Sequence, residues 1–206
     1  MAFDFIKKSI ANGNKESLAY YIMELTRGKI LPRYTDKARK LVELLNEEGY
    51  ESKYFNLLGH INKKDELYKE SKVNFKQSIS QGNADSIYEY WKLLIKEHDL
   101  TTKHGETEVE AKTKEEIDEY LKSAVSGGSL KAIFKYSKIL KSKEAEEMKC
   151  KEKNSEQEGH SEPEWKKLLK LAVEGNYSKA NYYYATLLEE EEHHEESFKY
   201  FKLAAQ

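Results

Sequence analysis

A glycine-centred pattern that occurs five times along the chain constrains its fold more than any other sequence feature. Apolar residues stand seven and three positions before each glycine and five, nine and twelve positions after it, and Asn46 is the only polar exception. Apolar residues spaced at three and four are typical of amphipathic helices. Each unit therefore predicts a helix, a tight turn and a second helix, around Gly13, Gly49, Gly82, Gly127 and Gly175.

Glycine suits such a turn because it adopts positive φ at no steric cost, which lets a helix end within one residue. Ala124 and Ala172, in the predicted first helices, are small enough for a neighbouring helix to approach closely. Neither helix of a unit buries its apolar stripe alone, so the units are expected to stack in sequence. The predicted fold is all-α, an α/α superhelix (solenoid) of about five helix pairs and a C-terminal half-repeat.

We predict a single helical-repeat domain that spans residues 1–206. Two charge-rich connections, about 98–112 and 142–162, cannot bury enough apolar surface to order themselves and are predicted as mobile loops. The predicted units are about 1–33, 34–64, 65–97, 113–142 and 162–193, with a half-unit at 194–206.

The last residues fit the first helix of a sixth unit. Phe198, Phe201 and Ala205 stand at its apolar positions, but the sequence stops before the expected glycine. The half-unit is therefore either a capping helix or part of a longer array, and its apolar residues favour a fragment of a longer array or a partner that docks on this helix.

Charge and cysteine content exclude several classes of protein. The 35 basic and 37 acidic side chains give a net charge of -2, which argues against a protein that binds nucleic acid by neutralising phosphates. No apolar run approaches the roughly 18 residues of a membrane span, so we expect no membrane insertion. A single cysteine, Cys150, excludes an internal disulfide and suits a reducing compartment. Because no signal peptide is visible either, we expect a cytoplasmic protein.

The sequence contains no recognisable catalytic or metal-binding motif. The most metal-like cluster follows Glu189 and includes His193 and His194. Adjacent histidines on a helix point about 100° apart and cannot share one ion, so this cluster is interpreted as a solvated helix end. Cys150 is interpreted as an ordinary free thiol, since no base or oxyanion site accompanies it. We therefore predict no catalytic residue, no cofactor and no metal.

The 15 tyrosines are the remaining candidates for a functional role. Some of them occupy core positions of the repeat and need no functional explanation. Tyr20, Tyr88 and Tyr182 lie beside the apolar stripe, where a partly exposed ring is able to line a groove. Tyrosine is enriched at binding hot spots, so these three are candidate protein-binding residues. The alternative is that they are half-buried rings at the seams between stacked helices.

Several segments resemble a known repeat family. The segment Leu171–Leu188 looks like the Sel-1-like repeat, a relative of the tetratricopeptide repeat, and 123–132 and 78–86 are similar to it. Leu58 and Gly59 resemble the Leu-Gly pair in the second helix of that repeat. The resemblance implies an α/α superhelix that serves as a scaffold or adaptor in protein complexes.

We therefore expect a non-enzymatic scaffold or adaptor that binds a protein or peptide on the concave face of its superhelix. The alternative is the regulatory repeat region of a larger enzyme or membrane-associated complex, which the unfinished sixth unit suggests.

Overall fold

The computed structural model describes residues 2–104, 114–151 and 162–206, and within these ranges it is helical without any strand. The all-α prediction is confirmed. The helices are α1 Ala2–Ala11, α2 Lys15–Arg27, α3 Thr35–Val42, α4 Glu51–Lys64, α5 Tyr68–Ser80, α6 Ala84–His104, α7 Lys114–Ser126, α8 Leu130–Lys151, α9 Glu164–Glu174, α10 Ser178–Glu190 and α11 His194–Ala204.

The chain forms two compact units, Met1–Ile117 and Asp118–Gln206. In the first unit each of the helices α1 to α5 packs on the helix that follows it, and α2 also contacts α4. In the second unit α8 packs on α9, α9 on α10 and α10 on α11. Within each unit these consecutive helices are therefore neighbours in space. The superhelical arrangement and the single domain stay predictions.

The predicted apolar stripe faces the interior. Ile22 is fully buried, Trp91 is buried and Tyr184 is half-buried. In the five glycine-centred units none of the aligned apolar residues is exposed, whereas the polar exception, Asn46, is exposed. In the half-unit Phe198 and Ala205 are exposed. The core of the first unit is built around Ile22, Leu25, Val42, Leu45 and Ile61, and that of the second around Ile133, Leu169, Ala172 and Ala180.

Six connections between consecutive helices share one backbone conformation. Each has three residues, and the middle one is left-handed, with φ between 55° and 82°. A left-handed residue at this point stops the helix and turns the chain into the next one. The six middle residues are Gly13, Glu66, Gly82, Gly128, Asn176 and Glu192.

This finding corrects the predicted turn residue in two units. Positive φ falls on Gly128 and Asn176 rather than on Gly127 and Gly175. The amides of Gly127 and Gly175 donate hydrogen bonds to carbonyls four residues earlier, so both glycines continue the hydrogen-bonding pattern of the preceding helix. The left-handed residue therefore comes one position later than the repeat pattern predicts. Packing rather than backbone conformation favours glycine at position 175, since a Cβ on Gly175 would lie 2.4 Å from the side chain of Leu130.

Two helices run into the segments that the sequence analysis assigned to loops. Helix α6 continues to His104 and α8 to Lys151, while 105–113 and 152–161 lie outside the described residues. The extension of α8 contacts α9, because Glu144 accepts a hydrogen bond from the indole N–H of Trp165. Although α6 and α8 have 21 and 22 residues, no helix in the described ranges is both long and apolar enough to cross a membrane.

Candidate functional site

The three candidate tyrosines lie in different surroundings. Tyr20 in α2 and Tyr88 in α6 belong to the first unit, and Tyr182 in α10 belongs to the second. Tyr88 is half-buried and stacks on Trp91, with ring centroids 5.6 Å apart and ring planes 19° apart. Tyr20 is 47% exposed, and Tyr182 is the most exposed of the three at 59%. Tyr182 lines a groove on the surface of the second unit.

This groove, which we call the aromatic groove, lies within the second unit and has a volume of about 670 Å³. Three helices, α8, α10 and α11, form its walls. Its volume falls in the range of about 300–1,000 Å³ that is usual for ligand pockets. The lining residues are Phe134, Lys138, Ser178, Lys179, Tyr182, Tyr183, Phe201, Ala204 and Ala205.

The rings of the aromatic groove hold one another in place. The ring of Phe134 meets that of Tyr183 edge to face, with centroids 5.8 Å apart. The ring of Tyr182 meets that of Phe201 in the same way at 5.6 Å. Edge-to-face contacts of this kind contribute about 0.5–1.5 kcal/mol beyond the area that they bury. These contacts connect the rings of the groove to one another across its helices.

The helical period of α10 explains why Tyr182 is exposed. Ala180, Asn181 and Ala185 are buried against the unit's interior. Successive residues of a helix point about 100° apart, so Tyr182, two positions after Ala180, points to nearly the opposite side of the helix from that buried residue. In α11 the exposed ring is Phe198, at 61%. The second unit therefore presents aromatic side chains that its own core does not use.

Lysines border the aromatic groove without acidic partners. The Nζ atom of Lys138 lies 5.2 Å from the centroid of Tyr183, and that of Lys141 lies 5.4 Å from the same ring. Lys179 is exposed. Within the described part of the chain none of these three lysines forms an ion pair, and no carboxylate lines the groove. The groove therefore combines apolar rings with positive charge.

A smaller depression of about 430 Å³ shares Phe201 with the aromatic groove. It contains Phe198 and part of the His-Glu cluster, in which Nδ1 of His194 lies 2.9 Å from Oε1 of Glu189. Among the described residues no group of three or more His, Cys, Asp or Glu side chains is arranged to hold a metal ion. The side chain of Cys150 lies outside the described residues.

A buried charge cluster lies next to Tyr88 in the first unit. Glu89 in α6 is 4% exposed and accepts hydrogen bonds from Lys63 at 2.5 Å and Lys92 at 2.6 Å. Burial raises the pKa of Glu89, but the charges of His60, Lys92 and Lys63 outweigh burial and lower that pKa to about 2. Because its charge is matched within the unit, this cluster stabilises α4 against α6 rather than binding a ligand.

The sequence predicted Tyr182 as a binding residue and placed Phe201 and Ala205 on a helix where a partner was expected to dock, but it gave no role to the groove residues of α8. Phe134, Tyr183 and Lys138 do not fall on the aligned repeat positions, so the repeat pattern gives them no role. For Phe134 and Lys138 the sequence does contain a pattern that points to the groove, namely an aromatic residue outside the aligned apolar positions followed four positions later by a lysine. On a helix this spacing places both side chains on one face.

Comparison with protein families, curated proteins and solved structures found no match. The resemblance to Sel-1-like repeats thus rests on the sequence segments alone and stays a prediction.

Proposed function

We propose that this protein is a non-enzymatic scaffold or adaptor that binds a segment of a partner protein in the aromatic groove. The observation that carries the proposal is the exposure of Tyr182, 59%, in a groove where its ring packs edge to face on Phe201. Exposed apolar grooves with a few polar groups are common interaction sites, and tyrosines are enriched among the residues that dominate binding energy.

The shape of the groove supports a peptide ligand. Three helices border an open groove of about 670 Å³, which suits one or two large side chains and the backbone that joins them. Helical and extended peptides both bind in grooves of this type. The lining residues also include no carboxylate or imidazole to act as a base for Ser178, which supports binding rather than catalysis.

We further propose that the helices form a Sel-1-like α/α superhelix in a cytoplasmic protein. Sequential packing of neighbouring helices and the repeated three-residue turn support a repeat architecture. The single cysteine supports a reducing compartment.

The experiment is a selection of displayed random peptides on the full chain. Recovered peptides are then measured individually against the wild-type protein and the Tyr182→Ala variant. We expect at least about a tenfold loss of affinity for Tyr182→Ala, as for a hot-spot residue.

The matched control is Tyr34→Ala, because Tyr34 is 55% exposed but lies in the first unit, outside the groove. This variant is expected to bind the selected peptides as the wild type does. Peptides that bind Tyr182→Ala and the wild type equally well would contradict the proposal. So would a selection that yields no binding peptide.

A further inference from the structure

We infer that the segment bound in the aromatic groove is acidic and places a large apolar side chain between its carboxylates. The inference rests on the proposed function and adds the chemical nature of the partner.

The charge of the groove lining is the first argument. Lys138 and Lys179 line the groove, and no carboxylate does. Neither lysine forms an ion pair with a described residue. The groove therefore carries positive charge that the carboxylates of a ligand are able to match.

The position of Lys138 is the second argument. Its Nζ atom lies 5.2 Å from the centroid of Tyr183 and 5.9 Å from that of Phe134. Contact with the ring faces holds the ammonium group at the edge of the apolar surface but does not neutralise it. A carboxylate bound to Lys138 therefore lies beside the rings, and a neighbouring apolar side chain of the ligand contacts them. This places acidic and apolar groups next to each other in the ligand.

The charge of the chain favours a peptide over a nucleic acid. The net charge is -2, and only two lysines line the groove. Proteins that bind nucleic acid through phosphates neutralise many of them at once, and their affinity depends strongly on that number. Two lysines beside aromatic rings match a few carboxylates better than a phosphate backbone.

The test compares two displayed peptide libraries of equal size on the full chain. In one library aspartate and glutamate occupy half of the positions, and in the other lysine and arginine do, with the remaining positions random. Binders are scored only when Tyr182→Ala abolishes their binding. We expect such binders from the acidic library and not from the basic one. We also expect a large apolar residue between their acidic positions.

Variants of the lysines then test the charge contacts directly. For a selected acidic peptide, Lys138→Ala and Lys179→Ala are each expected to weaken binding about two- to fivefold, as for partly exposed ion pairs. The control Lys167→Ala, at an exposed position of α9 outside the groove, is expected to leave affinity unchanged. Lys138→Glu is expected to reduce binding further, and about 1 M salt to weaken binding to the wild type. Circular dichroism checks that each variant is folded.

Several outcomes overturn the inference. The ligand is not acidic if Tyr182-dependent binders come equally from the basic library. The same holds if substitution of Lys138 and Lys179 leaves their affinity unchanged. In both cases the proposed function still stands. Binding of a uridine oligonucleotide that Tyr182→Ala abolishes identifies a nucleic acid instead. Self-association that Lys138→Glu abolishes identifies a second copy of the chain. If neither of these libraries nor the unbiased one yields a Tyr182-dependent binder, the proposed function itself fails.

Discussion

The ring of Phe75 in α5 lies directly against Gly59 in α4. A Cβ on Gly59 would stand 2.6 Å from the nearest ring atom, although the backbone of Gly59 is ordinary helix. Phe75 is fully buried, and the hydroxyl of Ser71 donates a hydrogen bond of 2.8 Å to the carbonyl oxygen of Gly59. The absence of a side chain at Gly59 therefore allows α4 and α5 to approach closely.

Gly59→Ala is expected to destabilise the protein by about 1–3 kcal/mol, because the added methyl group overpacks a buried contact. In an exposed helix the same change would stabilise by about 1 kcal/mol, so the sign is informative. Urea unfolding of Gly59→Ala, and of Gly59→Ala combined with Phe75→Leu, measures the effect. The second change is expected to restore part of the stability, since a smaller side chain makes room. A single variant more stable than the wild type would contradict the close approach.

The left-handed turns predict opposite effects for two substitutions. Gly82 has a φ of 82° and Glu66 has a φ of 64° at equivalent positions of their turns. Gly82→Val is expected to cost about 1–3 kcal/mol, because a β-branched residue is strained there. Glu66→Gly is expected to stabilise by up to about 1 kcal/mol, because it relieves a similar strain. Thermal unfolding measures both, and a loss of stability in both variants would argue against a shared conformation.

The buried charge cluster predicts a specific loss of stability in acid. The pKa of Glu89 is lowered from 4.5 to about 2 in the folded state, so its ionised form stabilises the fold. That contribution, on the order of 3 kcal/mol, is complete above about pH 4.5 and disappears as the pH falls towards 2. Urea unfolding at a series of pH values is expected to show Glu89→Gln less stable than the wild type at neutral pH. The two curves are expected to converge near pH 2.

Glu97→Gln is the control for this experiment, because Glu97 is in the same helix but its ion pair with Lys72 is largely exposed. It is expected to change stability little at any pH. Parallel curves for Glu89→Gln and the wild type would show that Glu89 is not a stabilising anion.

The contact between α8 and α9 predicts that Glu144 stabilises the fold, although the sequence predicts a loop at this residue. Glu144→Ala removes the acceptor for the indole N–H of Trp165 and is expected to cost about 1 kcal/mol. Glu146, two positions further along and exposed, is the matched control, and Glu146→Ala is expected to leave stability unchanged. Thermal unfolding followed by tryptophan fluorescence compares the two, and equal stabilities would contradict the contact.

The apolar stripe could be predicted because burial requires apolar residues at the helical period, as for Ile22 and Trp91. The turn residue was less predictable where two neighbouring residues are both able to adopt positive φ. Gly127 and Gly128 are both glycine, and Asn176 is left-handed beside Gly175. Glu66 and Glu192 carry no sequence signal at all, because glutamate rarely adopts that conformation in isolation.

The helix extensions and the aromatic groove lay beyond sequence reasoning for different reasons. Charge-rich residues after Ser142 suit an exposed helix as well as a loop, so composition does not distinguish them. The groove depends on side chains from three helices, and the distance between Tyr182 and Phe201 follows from packing rather than from the spacing of either residue along the chain.

The common turn geometry has a consequence for how a chain of this kind tolerates change over time. Three of the six turn centres are glycine and three are glutamate or asparagine, yet all six are left-handed. The conformation is thus held by packing on both sides, and the residue at the bend is replaceable at a modest energetic cost. The sequence of such a protein is able to change until its repeats are hard to recognise, while the packing of its helices is retained.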